Sequence, residues 1–196
     1  MIYTATITAA SLRLRESRII AELLLQGVSD EAWNEAIYEA NMLQMDSIES
    51  IRVVSRLLRA RLEPMGEELW TMVRDGDRVQ ATQAVFAGAV KNSRLLGDFM
   101  DITMREQRAI FAKKLEYRMW NEYIAGCLGR DPDMPHWSES TVARLRSAVF
   151  SMLAEAGYLK DTRSLLLQNV FVDPQLAAYL RTSGETYVLR CMEVAE

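Results

Sequence analysis

WSESTVARLRSAVFSMLAEAGYL, residues 137–159, decides how this chain reads. Ser138 offers a side-chain oxygen to the free N–H groups of a helix start, and Gly157 supplies a stop. At 100° per residue, Val142, Leu145, Val149, Met152, Leu153, Ala156 and Leu159 fall within one arc. Ser140, Arg144, Ser147, Ser151 and Glu155 fall on the opposite arc. The helix is therefore amphipathic, with one face for a core and one for water. The wet face begins with small hydroxyls and one arginine, which allow a close approach to a groove. The helix start adds N–H groups that can meet a phosphate, while Glu139 and Glu155 work against an anion.

Beyond Gly157 the pattern changes from helical to alternating. SLLL (164–167) and VFV (170–172) flank Gln168 and Asn169, which predicts a tight hairpin over 164–172. Before Trp137 lies the loop GRDPDMPHW with two prolines, and before that a helix over about 117–128. Helix, turn, helix, hairpin is the order of a winged helix, whose second helix enters the major groove while the hairpin touches the backbone. Lys160 and Arg163 stand at the hairpin entry. The candidate DNA-binding residues of this face are Ser138, Ser140, Thr141, Arg144, Ser147, Lys160 and Arg163. A winged helix also serves as a protein-interaction module, so the order of elements does not settle function.

The first half reads as a succession of helices. Residues 2–8, IYTATIT, are β-branched and alternate, as in a short strand or extended arm. A helix follows from Ser11 to about Gln26, ended by Gly27. Ser29 caps a second helix with Asp30 and Glu31 in its first turn. Ser47 starts a third, IESIRVVSRLLRARL, which stops before Pro64. Residues 29–62 thus form a helix-turn-helix-like pair. On its second helix Arg52, Arg56 and Arg59 recur at i, i+4 and i+7, opposite Val54, Leu57, Leu58 and Leu62, and such a stripe can track a phosphate backbone. The competing reading is an exposed face salt-bridged to acids such as Glu35, Glu39 or Glu63. A short helix around 67–73 precedes a turn at 74–77. The Ala- and Gly-rich stretch 78–96 predicts a closely packed helix, interrupted by Gly97, with further helix over 98–111 and on to about 128. Pro174 opens a short helix that Gly184 breaks, and ETYVLRCMEV ends the chain as helix. The expected fold class is mainly α: a multi-helix N-terminal part and a C-terminal winged-helix-like part with one β-hairpin. The expected division is 1–115 and 116–196.

Composition narrows the function classes. Of 196 residues, 49% are hydrophobic and 26% charged, as in an ordinary soluble globular protein. The start lacks the basic and apolar regions of a signal peptide, and the longest uncharged internal stretch, 79–90, is too short to span a bilayer. Cys127 and Cys191 have no metal-type spacing and read as buried thiols in a reducing cytosol. The net charge of −4 does not favour nucleic acid, but phosphate affinity follows local charge. Residues 91–118 carry seven basic and four acidic side chains. The basic residues are 19 Arg and 4 Lys, and guanidinium groups suit bidentate contact with phosphate, guanine and carboxylate. For an enzyme there is no support. The single histidine, His136, sits beside Trp137 in a loop without a metal-spaced partner, and no nucleophile motif or phosphate-binding glycine loop is present. The pairs Asp98/Asp101 and Asp131/Asp133 lack a third ligand and read as caps and turn residues. No cofactor and no metal are expected.

SRIIAELLLQG, RARLEPMGEELWTMVRDG, KNSRLLGDFMD, the long stretch from GRDPDMPHW to NVFVDP, and the terminal YLR and YVLRCMEV together resemble, in order and spacing, the BrxA family of the BREX bacteriophage-exclusion system. The resemblance spans nearly the whole chain. It implies a cytoplasmic, non-enzymatic accessory protein of antiviral defence, mainly helical and associated with double-stranded DNA. Other BREX proteins are implied partners, with the chain as an adaptor. A likeness to the RNA-binding NusB fold offers RNA as an alternative. The resemblance brings no catalytic residues with it.

Overall fold

The computed structural model describes residues 3–194, with Ala9 by its backbone alone. It is mainly helical, as the periodicity predicts. Helix α1 (Leu14–Gln26) ends on Gly27, whose φ of 59° is the left-handed cap that glycine adopts without strain. Helix α2 (Asp30–Asn34) starts where the Ser29 hydroxyl accepts from the Ala32 N–H, and it passes into a π-helical turn over Glu35–Glu39. Helix α3 (Ile48–Leu62) starts in the same way at Ser47 and gives way to a 3-10 turn containing Pro64.

Helices α4 (Glu67–Asp75) and α5 (Arg78–Asn92) follow. The core gathers around α5, whose residues 83–90 are all buried. It touches α1, α3 and α4 and three later helices. Its small side chains explain this crowding. A Cβ on Gly88 would lie 2.6 Å from the Arg61 carbonyl oxygen of α3, so two helix backbones meet there as only glycine allows.

Helix α6 (Arg94–Asp98) continues through a π-helical segment, Phe99–Met104, into α7 (Arg105–Ala109). The expected break at Gly97 is therefore absent. The chain breaks instead at Ser93, whose side chain accepts from the Leu96 N–H. Gly97 lies inside α6 because the Tyr187 ring occupies the space a Cβ would need.

Helices α8 (Tyr117–Arg130) and α9 (Glu139–Glu155) are joined by the proline-containing link. Trp120 and Tyr123 of α8 and Phe150 of α9 pack around Phe99, with ring centroids 5.2–6.1 Å apart. Helices α10 (Pro174–Thr182) and α11 (Thr186–Met192) then return to the first half, α10 against α4 and α5, α11 against α5, α6 and the Phe99–Met104 segment.

Two expectations are corrected. The hairpin over 164–172 does not form. Among the described residues the only β pairing outside helices is two isolated antiparallel bridges, Lys114 with Leu166 and Leu159 with Leu167. Residues 170–172 are drawn elsewhere: the Gln83 amide donates to the Phe171 carbonyl (3.0 Å) and accepts from the Asp173 N–H (2.7 Å). Gln83 is itself buried in α5, so this bond outcompetes a local turn. The extended arm expected at 2–8 is not a strand either. Ile2 lies outside the described residues, and Thr6–Ala9 form a 3-10 turn.

The N-terminal segment is held by buried polar groups. Arg61 of α3, 2% exposed, donates to the Ser11 carbonyl (2.7 Å) and the Ala10 carbonyl (3.0 Å). Burial pushes its guanidinium down to about 10, against the opposing negative field of Glu155. The Leu12 N–H donates to Glu155 at 3.2 Å. The Tyr3 N–H donates to Asp131 (3.1 Å) and its hydroxyl to Asp98 (2.7 Å).

Candidate nucleic-acid interface

Helix α9 divides as its wheel requires. Leu145, Val149, Met152, Leu153, Ala156 and Leu159 are buried, and Val142 packs half-buried against them. Ser140, Arg144, Ser147 and Glu155 are exposed. At the start, the Ser138 hydroxyl accepts from the Thr141 N–H (3.3 Å) and lies 3.0 Å from the hydroxyls of Ser140 and Thr141. Arg144 donates to the Thr141 hydroxyl at 3.4 Å and has no carboxylate partner among the described residues. Ser147 donates to the Ala143 carbonyl at 3.0 Å.

This face is not bare. The N-terminal 3-10 turn lies against α9, leaving a groove of about 390 Å³ lined by Thr8, Ser11, Arg144, Ser147 and Ser151 among others. Glu155, one turn beyond Ser151, accepts from the Leu12 N–H and the Ser151 hydroxyl.

Three short extended segments lie side by side, 113–115 ahead of α8 and 158–160 and 165–168 after α9. Leu165 and Leu167 pair with 113–115, through Leu115 N–H to Leu165 (2.9 Å) and Leu167 N–H to Lys113 (3.0 Å). On the other side, Lys160 N–H donates to Leu166 and Gln168 N–H to Tyr158, both at 2.9 Å. Asp161 turns the chain between them. Its carboxylate accepts from the N–H groups of Ser164 (2.6 Å) and Arg163 (2.9 Å), which hold it below the usual carboxylate range. Lys160 and Arg163 are exposed, with no ion pair among the described residues. The structure thus brings Ser138, Ser140, Thr141, Arg144 and Ser147 together on one helix, and sets Lys160 and Arg163 on the segment that follows.

The α3 stripe stands apart from them, with the N-terminal turn touching both α3 and α9. Arg52 pairs with Glu49 at 2.9 Å. Arg59 pairs with Glu63 (3.1 Å) and Asp30 (3.8 Å), and its guanidinium lies 4.4 Å from the Trp33 ring centre. Arg56 alone is exposed without a partner among the described residues.

Three basic features escaped the sequence reading. Arg61 lies at i+3 and i+4 from Leu58 and Leu57, so the periodicity that marked those leucines as buried also marked the arginine. Lys113 and Lys114 counted only as local charge, although both are exposed beside Lys160.

The acids expected as caps do other work. Asp98, 6% exposed, accepts from Tyr3, Tyr187 (2.8 Å) and Arg94 (2.9 Å), and Asp101 pairs with Arg105 and Arg190. Cys127 and Cys191 are buried free thiols, and burial raises both. His136 is exposed in the α8–α9 link. Among the described residues no group of three potential metal ligands gathers, and no helix is long and apolar enough to cross a membrane.

Comparison with known proteins gives this geometry a family. Residues 1–184 match BrxA. The chain belongs to the BrxA family. It is 46% identical over 193 residues to the BREX protein BrxA of Paramagnetospirillum magneticum, covering 98% of this chain and 97% of that one. It is 30% identical over 179 residues to the BREX protein BrxA of Escherichia coli O9:H4, covering 91% and 84%. The crystal structure of an uncharacterized protein from Magnetospirillum magneticum has the same fold, with a TM-score of 0.92 at 45% identity, covering 99% of this chain and 100% of that one. BrxA membership makes the chain a component of a BREX phage-defence system.

Proposed function

We propose that this BrxA-family chain is a cytoplasmic, non-enzymatic accessory component that binds double-stranded DNA, mostly by electrostatics. One observation carries the reading: Arg144, Lys160 and Arg163 are exposed, form no ion pair among the described residues, and sit on α9 and the turn just after it. The segment 113–115, helix α8, the link, α9 and the paired segments 158–160 and 165–168 come in an order compatible with a winged helix, with residues 161–164 in the place of the wing. In this reading 116–196 is the DNA-contacting part and 1–115 the helical support. The hydroxyls of Ser138, Ser140, Thr141 and Ser147 supply contacts to phosphate oxygens, which position a duplex without reading its sequence.

Anisotropy titrations of a labelled duplex over a range of salt test this. The slope of log K against log salt is about −0.9 per phosphate neutralised. The Arg144→Glu, Lys160→Glu, Arg163→Glu combination is expected to weaken binding to every duplex alike and to lower the slope by about one per lost contact. An unchanged affinity and slope would exclude this face. Arg52→Glu, Arg56→Glu and Arg59→Glu together probe α3, where two of the three guanidiniums are already paired.

A second reading, an adaptor for larger BREX proteins, is favoured by an apolar groove of about 460 Å³ between α8 and α9, lined by Ile124, Leu128, Trp137 and Val142 among others. Nuclease-resistant co-purification with other BREX components, lost on Trp137→Ala, is its signature. Competition between duplex DNA and structured RNA separates both from a NusB-like RNA binder.

A further inference from the structure

Phe111 is 91% exposed and its neighbour Ile110 65%. Phe111 also has a φ of 56°, in the left-handed region. Its N–H donates to the Arg108 carbonyl (3.0 Å), and the Ala112 N–H donates to the Gln107 carbonyl (2.9 Å). These two bonds form the closing motif of a helix end in which the left-handed place is usually taken by glycine. A phenylalanine there is strained by its Cβ and contributes no burial. The fold would be served better by glycine, so the ring's use lies outside the fold.

The next residues are basic. Three of the four lysines of the chain, Lys113, Lys114 and Lys160, meet on the bridged segments, all exposed and none ion-paired among the described residues. Lys114, Leu166 and Lys160 lie opposite one another across three segments, and Leu166 is 38% exposed. At strand spacing the two outer lysines stand about 10 Å apart with an apolar side chain between them. Acids oppose this patch only in part: Glu116 is ion-paired with Arg118 and also feels Lys114, Asp161 stays charged while accepting backbone N–H groups and feels Lys160, and Glu106 of α7 is exposed.

A rigid, outward aromatic followed in the chain by exposed lysines without ion pairs among the described residues fits a polyanion that contains flat apolar slots, which is a nucleic-acid duplex. We infer that Phe111 is an apolar wedge that enters a base step of bound duplex DNA while Lys113, Lys114 and Lys160 hold the flanking phosphates. Side chains of this type unstack a step and kink the duplex by roughly 20–90°. The inference rests on the reading of the chain as a duplex-DNA binder and adds a second contact region and a deformation to it.

The test uses the full chain and two duplex probes, one with 2-aminopurine in place of adenine at several steps, one carrying a donor and acceptor dye at its ends. Wild-type protein is expected to raise the 2-aminopurine emission and to bring the dyes closer. Phe111→Gly and Phe111→Ala should lose both signals while keeping the wild-type salt slope. Phe111→Gly should also melt at a higher temperature than wild type, which separates loss of the wedge from loss of the fold. Lys113→Glu, Lys114→Glu and Lys160→Glu together should lower the salt slope by about three. Wild-type binding without unstacking or bending, or full signals with Phe111→Gly, overturns the wedge and leaves the duplex reading intact. Absence of wild-type duplex binding at low salt overturns both. If Phe111→Gly behaves as wild type on DNA but loses binding to anionic vesicles or to another BREX protein, the patch serves that partner and the wedge is again refuted.

Discussion

Replacing Gly97 by alanine tests the packing logic that fixes the helical core. The added methyl would lie 3.0 Å from two carbons of the Tyr187 ring and closer still to its hydroxyl. Tyr187 is not free to swing aside. Its hydroxyl donates to buried Asp98 at 2.8 Å, and the Arg94 guanidinium covers the ring at 4.1 Å from its centre. Moving the ring breaks the bond to Asp98, and a hydrogen bond to a charged group contributes about 1.5–3 kcal/mol. Alanine returns about 1 kcal/mol through its helix preference. The net cost is about 0.5–2 kcal/mol, a melting temperature lower by roughly 1–8 °C for a chain of this size. Thermal unfolding followed by circular dichroism reads it directly. A double-mutant cycle with Tyr187→Phe makes the test sharp. In that background the hydroxyl and its bond are already gone, so Gly97→Ala should cost little more, giving a coupling of about 0.5–2 kcal/mol. Additive costs would mean that the Tyr187 hydroxyl does not set the approach, and the account of Gly97 would fall.

Other outcomes follow from the same structure. Gly88→Ala sets a methyl 2.6 Å from a backbone oxygen of α3 that cannot rotate away, so urea unfolding should show a loss of about 1–3 kcal/mol. Ser138→Ala removes the cap of α9 and should cost about 1 kcal/mol in the same assay. Stability should also fall as pH rises above 10. Burial pushes Tyr3 up to about 12 and raises Tyr123, Tyr158 and Tyr187 as well, so the unfolded chain loses these protons first. The stability that the neutral rings hold below pH 10 is then lost at about 1.4 kcal/mol per pH unit for each. Arg61 works in the opposite sense, since its folded form deprotonates near 10, and it offsets about one of the four. Denaturant midpoints between pH 8 and 11 check the direction, and a flat profile would contradict the burial of these tyrosines.

Much of this molecule is readable before its structure is known, where the reason is local. Ser29, Ser47 and Ser138 cap helices as expected because a cap is a bond between a side chain and an N–H three residues away. The wheel of residues 138–159 sorts correctly because one face of a long helix must be dry. The failures occur where a distant group wins. The stretch 164–172 has hairpin chemistry, but Gln83, roughly ninety positions earlier, takes the backbone around Phe171. IYTATIT alternates like a strand, yet Tyr3 is buried against Asp131 and Arg130 at the end of α8, and Ile7 is buried in a turn that touches α3 and α9. Gly97 looks like a breaker because its reason, Tyr187, lies far along the chain. At the candidate interface, the α9 face and its hydroxyls were legible. An ion-paired α3 stripe is legible as an alternative, but of the acids it names only Glu63 takes part, while Glu49 and Asp30 supply the other contacts. Phe111 carried no signal, since an exposed aromatic and a buried one look alike in sequence.

The bonds of the N-terminal segment also bear on how this protein is made. Tyr3 finds its carboxylate at Asp131, 128 residues later, and Leu12 at Glu155, 143 residues later. At about 5–20 residues per second, a ribosome needs roughly 7–30 s to supply the second partner. The first residues to emerge are therefore among the last to settle. Until α9 is synthesised, the carbonyls that Arg61 will hold have no complete seat, and the segment is open to chaperones and proteases. A short tag or label fused ahead of Tyr3 would disturb the last step of assembly rather than the first.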